Sequence, residues 1–108
     1  MNDIRATLLL SLQRALLNAV PLNLRAVSCD WEGTDIKLRF VFDGEVSDAN
    51  FDEVQIVGAE VIADFPAPWT ISEDVVRLDY PADTRPGSLA HWAYMRKEDA
   101  KWERPIEQ

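Results

Sequence analysis

The chain has one cysteine, one histidine and four glycines among 108 residues, and each scarcity excludes something. With Cys29 alone, no intrachain disulfide can form and nothing points to an oxidising compartment. One histidine and one cysteine supply too few nitrogen and sulfur ligands for a zinc site. The glycines are scattered as Gly33, Gly44, Gly58 and Gly87, so no glycine-rich phosphate cradle is present. Long apolar runs are missing too. "TLLLSL" stops at Gln13 and Arg14 with no small-residue cleavage motif behind it, far short of the ~20 apolar residues a membrane span needs. A soluble, cytoplasmic protein without a membrane partner is expected.

Basic residues are also in short supply: 11 Lys and Arg against 19 Asp and Glu leave a net charge of −8. Such a surface repels phosphate backbones, which argues against nucleic-acid binding. It attracts a basic protein, and long-range attraction of that kind speeds association.

The apolar fraction of 47% suits one globular domain with a single core. Asn2 or Asp3 can cap a first helix reaching to about Ala19, where Ile4, Leu8, Leu12, Ala15 and Leu16 recur at helical spacing and Pro21 stops the run. "NLRAVSCDW" and "DIKLRFVFDG" follow as a β-hairpin about the turn "EGTD". In the second strand Ile36, Leu38, Phe40 and Phe42 alternate with Lys37, Arg39 and Val41.

Ser47 caps a second helix whose expected buried face is Phe51, Val54, Val57, Val61, Ile62 and Phe65. Gly58 sits mid-helix at a cost of about 1 kcal/mol relative to alanine, which a close approach to the first helix or the sheet would justify. After Pro66 and Pro68, "WTISEDVVRLDY" reads as a third strand. Its phase breaks near Glu73 and Asp74, because Ile71 and the set Val76, Leu78, Tyr80 fall on opposite parities, and a bulge is expected there. "SLAHWAYMRK" is the fourth strand.

The expected fold is therefore α+β, in the order αββαββ: two helix–hairpin halves forming a four-stranded antiparallel sheet with both helices on one face. Residues 1–99 make the domain, and 100–108 a partly ordered tail that Trp102 pins. The other sheet face is left bare, with Arg39, Val41, Trp92 and Tyr94 as its residues, and invites a partner.

No constellation carries catalysis. His91 lacks an accompanying nucleophile motif, and Cys29 reads as a small core hydrophobe. Carboxylates are plentiful, with Glu60 and Asp64 at i and i+4 and Glu73, Asp74 and Asp79 along or near one strand. No twelve-residue calcium loop organises them, so they read as solvated. No catalytic residue, metal site or cofactor is expected.

The stretches "LLLSLQRALLNAVPLNLRAV", "LRFVFDGEVSD", "EVIADFP", "VVRLDY" and "YMRKED" resemble a family of short bacterial proteins of unknown activity, from about Leu8 to Asp99. The resemblance transfers no binding or catalytic residue. In type, small acidic single-domain proteins of this kind are similar to immunity proteins that neutralise basic toxin domains. The leading expectation is a non-enzymatic interaction module with an acidic binding patch formed by Asp48, Asp52, Glu53, Glu60 and Asp64. The alternative is a small-ligand or metabolic domain acting as a homodimer through the bare sheet face or the first helix.

Overall fold

The computed structural model describes residues 3–98. The tail expected at 100–108, with Trp102, lies outside the described residues.

Helix α1 spans Ile4–Ala15, and the carboxylate of Asp3 caps it by accepting the Ala6 N–H at 3.0 Å. It buries Leu8, Ser11, Leu12 and Ala15. The helix ends well before Pro21. Leu16 is its C-cap, and Asn18 turns the chain through the left-handed region at φ 64°, a conformation asparagine tolerates better than most residues.

Strands β1 (Leu24–Glu32) and β2 (Asp35–Phe42) form the expected hairpin, turned at Gly33 with φ 62°. Val27 lies opposite Phe40, Cys29 opposite Leu38 and Trp31 opposite Ile36. Helix α2 spans Asp48–Ile62 behind a capping box, in which Ser47 and Asn50 each bond the other's backbone N–H. Strands β3 (Thr70–Arg77) and β4 (His91–Met95) complete the αββαββ order.

The sheet runs β3-β2-β1-β4, and it is mixed rather than wholly antiparallel. β3 pairs parallel with β2, from Asp35 opposite Thr70 to Phe42 opposite Arg77. The physical reason is the helix between them. α2 carries the chain back along the sheet, and a crossover of helix length is what allows two parallel strands to be neighbours. The second half is therefore not a hairpin: β3 and β4 are opposite edges of the sheet.

Both helices lie on one face, as expected, with α2 against β3, α1 against β4, and the helices against each other. The core joins Leu8, Leu12 and Leu16 of the α1 segment and Val54, Val57 and Val61 of α2 to Val27, Cys29, Ile36, Leu38, Phe40 and Phe42.

The other face is not bare. The segment from Leu78 to Ala90 crosses it, where the Leu89 N–H donates to Ser28 Oγ at 3.0 Å and Arg25 donates to the carbonyls of Leu78 and Ala82. Val41 and Arg39 are buried beneath it, at 1% and 8% exposure. Gly87 (φ 83°) passes so close that a Cβ there would stand 3.1 Å from Arg39 Nη2. Tyr94 lies opposite Val27 and packs against the core, so it belongs to the helix face, while Trp92, opposite Ser28, is half-buried.

The expected bulge at Glu73 and Asp74 is absent, and the β2–β3 register runs unbroken. Ile71, Glu73 and Val75 form one alternating set of partly buried residues. The two parities fit because each serves a different layer: Ile71 and Val75 pack against the helix-side core, while Leu78 joins the segment that covers the far face. The irregularities fall in β1 instead, between Leu24 and Ala26 and between Val27 and Ser28.

Candidate functional site

The five carboxylates proposed from sequence lie on or just past α2, but they do not act alike. Asp48, Asp52 and Glu60 are exposed. With Ile56 between them, they follow one another at four-residue spacing and so share a stripe of the helix surface. Asp48 lies in the first turn, at the positive end of the helix dipole, which favours negative charge there.

The stripe is not purely charged. Ile56 is 52% exposed, and Phe51, expected in the core, is 45% exposed. An apolar residue within reach of both carboxylates and water is a usual component of a protein-binding surface.

Glu53 and Asp64 are engaged elsewhere. Glu53 is half-buried at a cleft of about 280 Å³ that it shares with Asn18, Ala19, Val20 and Pro21. Asp64 Oδ2 accepts from Ser11 Oγ and from Arg14 Nη2, both at 2.6 Å. The Ser11 bond, and after it the Arg14 bond, hold this carboxyl below its usual range. Asp64 therefore ties the end of α2 to α1, and the structure does not gather it with Asp48 and Asp52 into one free patch.

Sequence reasoning missed a second polar centre. Arg25 is 2% exposed at its side chain and pairs with Glu98, which also meets Arg96; Arg96 in turn meets Asp43 at 2.9 Å. Tyr80 stacks on the Arg25 guanidinium, 5.7 Å from the ring centroid. A cleft of about 500 Å³ opens beside them, lined also by Thr84 and Arg85. The charges balance within the centre, so its evident work is to fasten the covering segment and the last described residues to β1. Its members come from distant parts of the chain, and no local motif announces them.

A third feature had a sequence signal. Gly58 is buried in α2, and the Glu73 carboxylate of β3 occupies the space where a Cβ would sit. The mid-helix glycine was its mark, and of the two expected neighbours the close approach is to the sheet.

The remaining reactive groups are structural. His91 stacks on Trp31 with ring centroids 5.5 Å apart. Cys29 is fully buried, and desolvation, aided by the Asp30 charge, pushes its thiol up to about 12. Among the described residues no group of three or more His, Cys, Asp or Glu is placed to hold a metal, and no helix is long and apolar enough to cross a membrane.

The family model described as MafI2 immunity protein matches residues 5–98, nearly the whole described structure, and the chain belongs to that family. Membership implies neutralisation of a MafB toxin, and an immunity-protein family is non-enzymatic. No curated protein matches the sequence.

Proposed function

We propose that this member of the MafI2 immunity protein family acts in the cytoplasm by docking the outer surface of α2 onto a basic surface of its toxin. The observation that carries this reading is the stripe Asp48, Asp52, Ile56 and Glu60: exposed acids around an exposed isoleucine, on a chain of net charge −8. Charge steers the encounter and excludes wrong partners, while desolvating Ile56 and Phe51 supplies contact energy. The interface is narrower than the five carboxylates suggested by sequence. Glu53 flanks it and Asp64 supports the helix from behind.

The test uses a cognate MafB toxin domain, with association measured across a salt series. Attraction of this kind acts over a Debye length of about 8–10 Å at near-physiological salt. Reversing Asp48, Asp52 and Glu60 to lysine should leave the fold intact, since all three are exposed, yet slow association and remove most of its salt dependence. A folded triple variant that associates at the wild-type rate would move the interface off α2.

A second reading concerns self-association. Leu10 on α1 and Leu17 just past its C-cap are 62% and 70% exposed, which favours the first helix and its end as a homodimer contact. The other proposed route, through the sheet, has lost its surface to the covering segment. Sedimentation of wild type and Leu17→Glu separates the cases: a dimer through α1 should become a monomer.

A further inference from the structure

We propose that the groove between α2 and β3 receives one lysine or arginine side chain of the toxin, with Glu73 as its counter-ion. This deepens the reading above and rests on it.

The groove has a volume of about 270 Å³ and is lined by Phe51, Val54, Gln55, Glu73 and Val75. Its composition is that of a receptor for an amphipathic cation. Phe51, Val54 and Val75 offer an apolar wall for a methylene stem, and long basic side chains bury their stems while keeping the charged head on a polar partner. The Phe51 ring adds attraction for a cation over its face. Glu73 supplies the single negative charge inside the groove, and among the described residues it forms no ion pair.

Gly58 argues that the carboxylate's position is built. Glycine in a helix interior costs about 1 kcal/mol against alanine. The fold gains little in return, because the group that a Cβ would displace is the far end of a flexible side chain, free to turn towards water. What the glycine secures is the carboxylate's place against the helix, one turn along α2 from the groove residues Val54 and Gln55. A preorganised charge with apolar walls is the arrangement that discriminates a cation from a neutral side chain.

The sheet supplies a way to deliver that cation. β3 is an outer strand, and among the described residues only β2 pairs with it. Its free edge presents backbone donors and acceptors that an extended toxin segment can pair with, and alternate side chains of such a segment point to the helix side of the sheet.

The experiment measures binding of a cognate MafB toxin domain to wild type, Glu73→Gln and Gly58→Ala. Glu73→Gln keeps the shape and removes the charge, and should weaken binding by ~30-fold or more, mainly through faster dissociation. Gly58→Ala expels the carboxylate and should weaken binding similarly while leaving the melting temperature equal or higher. A scan of the toxin's lysines and arginines to alanine should find one whose loss, combined with Glu73→Gln, costs no more than either change alone. Binding of both variants within about twofold of wild type would overturn the groove's assignment, even if reversal of Asp48, Asp52 and Glu60 abolishes steering. Failure of the wild type to bind the toxin would overturn the neutralisation reading, and this inference with it.

Discussion

Arg25 and Glu98, 73 residues apart, meet through two hydrogen bonds of 2.7 Å, from Nε to Oε2 and from Nη2 to Oε1. The same guanidinium donates to the carbonyls of Leu78 at 2.6 Å and Ala82 at 2.8 Å. One side chain thus fastens both the segment that covers the sheet and the chain beyond β4. Removing one member of a buried pair strands the other, at roughly 3–5 kcal/mol. Glu98→Ala should lose about 3 kcal/mol in urea unfolding, because Arg25 is then left charged and buried. Arg25→Met should lose at least as much: Glu98 keeps Arg96 at 2.9 Å, but the Leu78 and Ala82 carbonyls lose their donor.

The same centre sets an acid limit on stability. The Arg25 hydrogen bond, ahead of other causes, holds Glu98 below its ordinary 4.5, and the Arg96 hydrogen bond does the same to Asp43 against 3.8. A carboxyl whose folded value is depressed stabilises fully above its unfolded value and loses that contribution as pH falls through the folded one. The urea midpoint should therefore owe these groups no change well above pH 4.5 and should fall below it. Glu98→Gln should flatten that fall, while the wild-type curve keeps it.

Cys29 should be inert while the protein is folded. Its thiol is pushed up to about 12 and has no solvent exposure, so the reactive thiolate is scarce and out of reach. A thiol reagent at mildly alkaline pH should label the denatured chain completely and the native chain only at the rate of unfolding. Rapid native labelling would show that the β1 core is open.

Arg39 and Phe40 are neighbours on β2 with opposite expectations. Phe40, 2% exposed in the helix-side core, should cost about 3–5 kcal/mol when truncated to alanine. Arg39 is nearly as buried on the other face, yet its Nη1 has no hydrogen-bond partner among the described residues. Exchanging a poorly satisfied buried charge for an apolar side chain of similar length is often neutral or stabilising. Arg39→Met should therefore match or exceed the wild-type unfolding midpoint.

Much of this architecture is written locally. The change from helical to alternating spacing around Pro21 and again around Pro66 gave the αββαββ order, and Asp3 and Ser47 marked the two helix starts. Alternation from Ile36 to Phe42 named the core side of β2 correctly. The excess of acid over base is equally legible, and it supports the proposal of a basic partner. Cys29 and His91 were legible as structural because nothing around them could activate them.

Other features depend on which distant segments meet. An alternating strand has the same period whether its neighbour runs parallel or antiparallel, so the direction of β3 against β2 was decided only by the path of α2. The segment from Leu78 to Ala90 has no period, and nothing local says that it lies over Arg39 and Val41 rather than in solvent. Phe51 matched the apolar spacing of α2, yet it sits at the helix margin, and only the lateral position of the sheet beneath it leaves it exposed. Gly58 called for a close approach to the first helix or the sheet, and Glu73 lay beside an expected bulge. They become one feature only when α2 packs on β3, because a contact is a property of two segments and a sequence presents them one at a time.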